Sequence, residues 1–340
     1  MTATPFDSAH LHRLFPAGDL GKLFSDSAEI RAMMIVLGAL AKVQGAAGLI
    51  PETSAQAIHR ASLELQIDPG GLAAGTLRDG SPVPELIAAF RSLMQAPEHA
   101  RHLGWGVCPQ DIEDSALMLR LRQVLTIFGS ELTALLASLA VAADARAESE
   151  AGALVAGWGW PLLALRDGLP ALRSTALRVS LTGLAELGPK APALRTALAE
   201  ALNLGDPGHG WHGDRRPVLA VAGWSAGLAT ALAKIGQDLA PGATDAATGV
   251  AASIVMACGR HVAGLLGALH QPQDMAARCT EWLSLPQLLL STGAALHHAR
   301  SLAETLTAPD APLADSRQGT AQAAEEARRF VRAVRTAPPA

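Results

Sequence analysis

His102-Leu-Gly-Trp-Gly-Val-Cys-Pro-Gln-Asp111, together with the segment that follows it to Ala147, decides the fold. A glycine-rich loop comes first, and apolar side chains then recur in steps of three and four. This spacing predicts one helix of about nine turns with a wide apolar stripe, which is typical of a helical bundle. The stripe consists of Leu117, Leu121, Val124, Leu125, Phe128, Leu132, Leu135, Leu136 and Leu139.

Acidic residues stand at the head of this helix, where the helix dipole favours negative charge. Asp111 is predicted to be the N-cap, and Glu113 and Asp114 follow in the first turn. A loop that leads into a long bundle helix is a common place for a binding or catalytic site. We therefore expect the functional residues near this end.

Composition favours a helical protein from a reducing compartment. Of 340 residues, 49% are hydrophobic but only 4% are aromatic, so Ala and Leu supply most of the apolar mass. A formal net charge of −4 gives no reason to expect a nucleic-acid or acidic-membrane partner. The three widely spaced cysteines predict no disulfide framework, and no signal peptide or membrane-length apolar run is recognised. We expect a soluble cytoplasmic protein.

The order of predicted elements gives an all-α architecture. A long-helix central bundle is flanked by two smaller helical regions, and no segment alternates convincingly as a strand. We predict an N-terminal helical domain at 1–104, a central oligomerising bundle at 105–270, and at 271–340 the remainder of the bundle with a short C-terminal helical region. A loop is predicted from Gly75 to Pro84, and a helix from Leu162 to Leu187 with a break at Gly168–Pro170.

Four motifs resemble the fumarase/aspartase superfamily, and within it the 3-carboxy-cis,cis-muconate cycloisomerases. They are Gly75-Thr-Leu-Arg-Asp-Gly80, Gln110-Asp-Ile-Glu-Asp-Ser-Ala-Leu-Met-Leu-Arg-Leu-Arg122, Trp211-His212 with Arg215, and Thr280-Glu-Trp-Leu-Ser-Leu-Pro-Gln287. The resemblance covers roughly residues 5–310. It implies all-α subunits whose central helices form a homotetramer, with each active site built from loops of three subunits.

The resemblance also implies an activity. Such enzymes close a lactone on a muconate in the ketoadipate pathway of aromatic degradation, without a metal or an organic cofactor. By position, the residues that would bind a small polycarboxylate are Arg78, Gln110, Asp111, His212 and Arg215. The reaction needs a base, an acid and donors that hold several carboxylates.

The signature loops of that family are altered in this chain. Where the first signature has a His followed by Gly-Ala-Thr-Ser-Gln-Asp, Gly104 stands at the His position and Cys108-Pro109 replaces the two hydroxyl residues. The replacement removes two hydroxyl donors and one backbone N–H. The second signature is interpreted as a deletion at Trp158-Gly-Trp-Pro161, and a glycine-rich signature is represented only by Thr182-Gly-Leu-Ala-Glu186.

The last signature, Gly-Ser-Ser-x-Met-Pro-x-Lys-x-Asn-Pro, carries the serine proposed as the family's catalytic base. It should lie between Asp238 and His261. The chain has Pro241-Gly-Ala-Thr-Asp-Ala-Ala-Thr-Gly-Val250 in that place, without the serine pair, the lysine or the Asn-Pro. The sequence therefore predicts a plain connector between two helices instead of an anion-binding lid.

Rebuilt chemistry has a few candidate residues. His102 lies two residues before the lost His and could substitute for it or be an ordinary loop residue. His212 and Arg215 could still bind an anion, or could pack the loop before a helix. Cys108 could be a nucleophile, although a small buried thiol is the simpler interpretation. A metal site is not predicted, because pairs such as Cys258 and His261 lack further ligands.

Two hypotheses follow. The first is a catalytically impaired relative of the cycloisomerases, a pseudoenzyme that persists as a homotetramer or pairs with an intact relative as a binding or scaffold subunit. The second is an active cycloisomerase or lyase with a site rebuilt around His102, His212 and Arg215. Neither hypothesis calls for a cofactor. Alteration of every signature favours the first, because catalytic groups that act as a unit are lost as a unit.

Overall fold

The computed structural model describes residues 4–182, 190–269, 274–306, 313 and 319–336. Within these ranges the chain forms thirteen α-helices, and its only pairing of extended backbone is an isolated bridge between Arg178 and Gly205. The predicted all-α class is confirmed. Residues 183–186 of the glycine-rich signature remnant lie outside the described residues. The helix predicted to run to Leu187 is wrong at its end, because it stops at Ala176 and the described residues 177–182 are not helical.

Six of these helices precede the central loop, and seven follow it. The first six are α1 (Gly18–Leu23), α2 (Asp26–Ala46), α3 (Glu52–Glu64), α4 (Ala73–Asp79), α5 (Val83–Met94) and α6 (Pro97–Ala100). The others are α7 (Pro109–Ala145), α8 (Glu150–Ala176), α9 (Ala191–Leu202), α10 (Arg216–Leu239), α11 (Ala246–Ala268), α12 (Met275–Thr305) and α13 (Ala321–Thr336).

Helix α7 is the element that connects the molecule. Its 37 residues make about ten turns, close to the predicted length. Near its start, Ile112, Ala116 and Leu119 are buried against α2, α3, α5 and α9. From Leu121 to Ala143 its apolar stripe is buried in a second cluster, formed with α8, α10, α11, α12 and α13. One helix therefore contributes to both hydrophobic cores, and the predicted domain division remains a prediction.

The start of α7 differs from the prediction. Cys108 is the N-cap, Pro109 occupies the first helical position, and Asp111 is the third helical residue instead of the cap. Proline suits the first position because the N–H that it lacks would have no intrahelical partner there. Asp111 therefore points its carboxylate back over the cap, and its Oδ2 accepts a hydrogen bond from the Cys108 backbone N–H at 3.3 Å.

The predicted loop from Gly75 to Pro84 is wrong in its first half. Helix α4 continues through these turn-forming residues to Asp79 and ends at Gly80, which takes the left-handed conformation with φ of 65°. Gly75 allows α4 to approach α5 closely, since a Cβ at this position would lie 2.6 Å from Glu85 Cβ. The glycine thus serves packing between two helices and does not mark a turn.

Helix α8 also differs from the prediction, because it runs unbroken from Glu150 to Ala176 across Pro161 and Pro170. A proline inside a helix costs about 3 kcal/mol. Trp158, Leu162 and Leu169 are buried on either side of these prolines. Their burial in the bundle holds the helix together where local preference would break it.

Three helices are long and apolar enough to cross a membrane when judged by length and composition alone. The sequence prediction that no such segment exists is wrong on that criterion. In this fold α10 and α11 pack against each other, and all three helices pack against α12 as members of the bundle. They span Pro109–Ala145, Arg216–Gly242 and Ala246–Ala268.

Two glycines of α8 provide a matched test of how α13 packs. A Cβ at Gly159 would lie 2.1 Å from Phe330 Cζ of α13, whereas a Cβ at Gly157 would meet nothing within 4 Å. We expect Gly159→Ala to lower the free energy of unfolding by about 1–3 kcal/mol through overpacking. Gly157→Ala should raise it by about 0.5–1 kcal/mol through helix propensity. Urea unfolding followed by circular dichroism measures both, and a stabilising Gly159→Ala would contradict this packing.

Candidate functional site

The carboxylate of Asp111 joins three segments at the head of α7. Its side chain is buried, and Oδ1 accepts hydrogen bonds from Ser180 Oγ at 3.1 Å, from the Thr182 backbone N–H at 2.9 Å and from Thr182 Oγ1 at 2.9 Å. His212 Nε2 lies 2.8 Å from the same oxygen. Burial alone would raise the pKa of Asp111, but the bonds from His212 and Thr182 outweigh it and lower that pKa below its usual value. The ionised oxygen can only accept, so His212 Nε2 carries the proton.

The segment before α10 places His212 beside a buried tryptophan. Trp211 is almost fully buried, and its Nε1 donates to the Val179 carbonyl at 2.9 Å. The His212 side chain remains 28% exposed and lines a cavity. Both readings of the Trp211-His212 pair therefore describe part of the geometry: the tryptophan packs the loop, and the histidine faces open space.

Arg215 lies between two carboxylates. Its Nη1 donates to Asp114 Oδ1 at 2.7 Å, its Nε donates to Glu281 Oε2 at 3.0 Å, and its side chain is only 10% exposed. Burial would lower the pKa of Arg215, but the two carboxylates outweigh it and raise that pKa. The guanidinium also lies over the ring of Trp211, 5.4 Å from its centroid. The guanidinium N–H donors of Arg215 therefore already bond to carboxylates of its own chain.

A second arginine, Arg278 of α12, lies on the other side of Gln110. It donates to Gln110 Oε1 and, at 3.3 Å, to the Gly80 carbonyl. Its Nη1 is 3.7 Å from Glu113 Oε2. The other carboxylate oxygen of Glu113, Oε1, accepts a short hydrogen bond from Ser81 Oγ. Burial raises the pKa of Glu113 to about 7, against the opposing effects of Ser81 and Arg278.

Two adjacent cavities meet at these residues. The polar cavity, of about 440 Å³, is lined by His212, Arg215, Cys108 and Asp274 among others. The apolar cavity, of about 640 Å³, lies between α2, α4 and the first turns of α7 and α12. Gln110, Arg278 and Glu281 line both cavities and so form the wall between them.

The structure brings some predicted site residues together and leaves others apart. Gln110, His212 and Arg215 line the polar cavity, and Asp111 contacts His212 from behind. Arg78 lines neither cavity, and its exposed side chain pairs with Asp79 and Glu85 at 2.7 and 3.2 Å.

His102 also lines neither cavity, and its Nε2 accepts a hydrogen bond from Arg101 at 3.1 Å. Cys108 is half-buried at the polar cavity, so it is not the buried thiol of the simpler interpretation. Among the described residues, no group of three or more His, Cys, Asp or Glu side chains is arranged to hold a metal ion.

Sequence reasoning did not assign a role at the site to Ser81, Glu113, Asp114, Arg278 or Glu281. The first-turn position of Glu113 and Asp114 was a signal, but it was interpreted only as charge for the helix dipole. Ser81 and Glu281 are far from α7 in the sequence, and only the fold brings them to it.

The connector between α10 and α11 is short. A 3₁₀ turn at Ala240–Gly242 follows α10, and Asp245 caps α11 by accepting from the Thr248 backbone N–H at 2.9 Å. This agrees with the plain connector predicted in place of the last signature.

Comparisons with known proteins match the fold that carries this site. A 3-carboxy-cis,cis-muconate cycloisomerase from Pseudomonas putida is 28% identical over 337 residues, which covers 85% of this chain and 80% of that relative. The crystal structure of the 3-carboxy-cis,cis-muconate lactonizing enzyme from the same organism matches with a TM-score of 0.81 and 25% identity, covering 95% of this chain and 79% of that one. A fumarate lyase from a Mesorhizobium species, 22% identical with a TM-score of 0.77, covers 92% and 77% and shows the same fold. No family model matches the chain.

The long-helix bundle has the fold of the fumarase/aspartase superfamily. In both sequence and structure, the chain is similar to the 3-carboxy-cis,cis-muconate cycloisomerases.

Adjacent arginines test whether Arg215 is structural. Arg215→Ala would leave the buried carboxylates of Asp114 and Glu281 without their cation, so we expect a loss of about 3–5 kcal/mol in the free energy of unfolding. Arg216→Ala removes a side chain that is 84% exposed, so the change should stay within about 0.5 kcal/mol. Urea unfolding of both variants measures the two free energies. Equal losses in Arg215→Ala and Arg216→Ala would show that the double ion pair does not contribute to stability.

Glu113 predicts an unusual pH dependence of stability. Its folded-state pKa of about 7 lies above the unfolded value of 4.5, so its favourable contribution is complete below pH 4.5 and is lost as the pH rises through 7. Gln at this position could still accept from Ser81 but cannot ionise. We expect Glu113→Gln to raise the free energy of unfolding by about 1–3 kcal/mol at pH 8 and to change it little near pH 4.5.

Urea unfolding at pH 4.5, 6.5 and 8 measures this trend. Glu98→Gln is the control, because the Glu98 side chain is 66% exposed. A gain from Glu113→Gln that is the same at every pH would contradict the raised pKa.

Proposed function

We propose that this protein is a catalytically impaired relative of the 3-carboxy-cis,cis-muconate cycloisomerases that acts as an oligomeric binding or scaffold subunit. The observation that carries the proposal is the double ion pair of Arg215 with Asp114 and Glu281. A muconate with an extra carboxylate needs several cationic donors, and this arginine already has two anionic partners in its own chain.

The other candidate donors near the polar cavity are also engaged. His212 Nε2 lies 2.8 Å from Asp111, and Gln110 and the Gly80 carbonyl accept from Arg278. At Arg215, a carboxylate ligand would have to displace an internal anion from a partly buried position, which costs desolvation without a compensating gain. Asp79, Asp274 and Glu281 also line this cavity and would repel such a ligand.

The altered loops support the same interpretation. Pro109 and Cys108 stand where the family has hydroxyl donors, and the short connector Ala240–Gly242 with Asp245 stands where it has an anion-binding lid. Electrostatic stabilisation by preorganised donors is usually the largest catalytic contribution, so loss of these donors removes most of the rate acceleration.

The assembly follows from the resemblance. We propose a homotetramer, or a hetero-oligomer with an intact relative to which this chain could lend its central helices. We also propose that the protein is cytoplasmic, needs no cofactor, and has no nucleic-acid or membrane partner. In this proposal, the three helices of membrane-spanning length are bundle helices whose apolar residues lie in the core and between subunits.

The alternative is a lyase or cycloisomerase with a rebuilt site, and one observation favours it. His212 faces the polar cavity while the buried Asp111 holds its Nε2 at 2.8 Å, and Thr182 Oγ1 lies 3.1 Å from Nδ1. A histidine oriented by a carboxylate is a common general base. His102 lines neither cavity, so this site would depend on His212 alone.

Turnover is tested by following the ultraviolet absorbance of 3-carboxy-cis,cis-muconate over time. Purified protein, its His212→Ala variant and the Pseudomonas putida cycloisomerase are compared at equal concentration. We expect a flat trace for the protein and its variant, and decay for the working control. Sedimentation of the same samples should give a species of four times the 35.0 kDa chain mass.

Decay that is present in the protein and lost in His212→Ala would establish the rebuilt site. Circular dichroism of each sample ensures that a flat trace comes from a folded protein. A monomer in sedimentation would contradict the homotetramer, and addition of an intact relative would then test the hetero-oligomer.

A further inference from the structure

The apolar cavity has the size and composition of a small-molecule site. Its volume of about 640 Å³ falls within the range of ligand sites in proteins. Apolar side chains from α2, α7 and α12 form much of its wall; Trp282 is partly exposed at its edge and Leu77 is almost fully exposed. Phe24 and Leu117, which are half-buried, also present apolar surface to the cavity.

Carboxylates outnumber guanidinium groups around this cavity. The acidic residues are Asp26, Glu29, Glu113, Asp114 and Glu281, and the basic ones are Arg120 and Arg278. Arg215 lines the neighbouring polar cavity and pairs with two of these carboxylates, those of Asp114 and Glu281. Even with Arg215 included, the acidic side chains outnumber the basic ones. Arg120 is neutralised by Glu29 at 3.0 Å. The cavity therefore attracts cations and repels anions.

Two acidic groups have acceptor positions that the protein itself does not fill. Asp114 is only 2% exposed, and its Oδ2 has no hydrogen-bond partner among the described residues. Glu113 uses one oxygen for Ser81, and its other oxygen has Arg278 no closer than 3.7 Å, beyond hydrogen-bond distance. A buried acceptor without a donor is costly. Asp114 Oδ2 has almost no accessible surface, so the free oxygen of Glu113 is the acceptor that a ligand could reach, and a donor brought to it would stabilise the folded state.

We propose that the apolar cavity binds a small amphipathic amine, with its ammonium group at Glu113 and its apolar body against Phe24, Leu117 and Trp282. This ligand has the charge opposite to that of the family's polycarboxylates. The proposal goes beyond the impaired cycloisomerase and does not depend on it, because the charge of the apolar cavity is the same whether or not the polar cavity catalyses a reaction.

Three aromatic probes of similar size and different charge test this site in the full-length protein. They are 2-phenylethylamine, 2-phenylethanol and 3-phenylpropionate, titrated at pH 8 by calorimetry and by tryptophan fluorescence. We expect the amine to bind about tenfold or more tightly than the alcohol, and the carboxylate not to bind. The fluorescence change should disappear in Trp282→Phe, because Trp282 lines the cavity.

Variants locate the bound amine. Glu113→Gln should weaken the amine about tenfold or more and bring it level with the alcohol, while Glu98→Gln should leave the affinity unchanged. Ala73→Phe, at an exposed position lining the cavity, should block all probes by filling space without touching the acidic residues.

The affinity should also fall about tenfold from pH 8 to pH 6, since Glu113 has a pKa of about 7 and only its ionised form pairs with the ammonium.

Three results would overturn the proposal. The first is binding of the carboxylate as tightly as the amine. The second is absence of amine binding at millimolar concentration in a protein that circular dichroism shows to be folded. The third is amine binding that persists in both Glu113→Gln and Ala73→Phe, which would place the ligand elsewhere. None of these results bears on muconate turnover, so the two proposals fail separately.

Discussion

The carboxylate of Asp111 is a buried charge, and the head of the bundle is arranged around it. A buried carboxylate is tolerated only when donors satisfy it, and these donors come from the Ser180–Thr182 segment, from His212 and from the cap of α7. Three segments far apart in the sequence are thereby held within hydrogen-bonding distance of one side chain. The order of the polar cavity depends on this constraint, since His212 and Arg215 belong to one of those segments.

The two cavities differ in which of their charged groups already have partners within the chain. In the polar cavity, acceptors of the chain itself already engage Arg215, Arg278 and His212, whereas in the apolar cavity Glu113 keeps a free acceptor oxygen. Arg215 takes part in both arrangements, because its two carboxylate partners face the apolar cavity while its own side chain lines the polar one.

Much of the fold could be predicted from the sequence, because the apolar period of α7 and α10 is long and regular. Prolines 161 and 170 misled the prediction for α8, where burial of Trp158 and Leu169 overrides local preference. Gly75 misled it for α4, because a glycine that permits close packing cannot be distinguished from a turn glycine without the neighbouring helix. Local patterns therefore fail where tertiary packing decides.

The site was less accessible to prediction. Family motifs identified Gln110, Asp111, His212 and Arg215, but motifs do not reveal which of them are engaged by partners from their own chain. The raised pKa of Glu113 results from burial, and its partner Ser81 lies 32 positions away in the sequence. Such properties arise from distant contacts and could not be read from local spacing.

Helix α7 contributes Ile112, Ala116 and Leu119 to one hydrophobic core and its remaining stripe to the other. Proteins open locally in contiguous cooperative units, and two such units can open separately only when few contacts join them. Here the two cores share a rigid element, so the N-terminal helices cannot detach without exposing the first turns of α7 and loosening the bundle. We therefore expect amide protons between Ala116 and Leu125 of α7, where the two cores meet, to exchange with solvent only through openings nearly as costly as global unfolding.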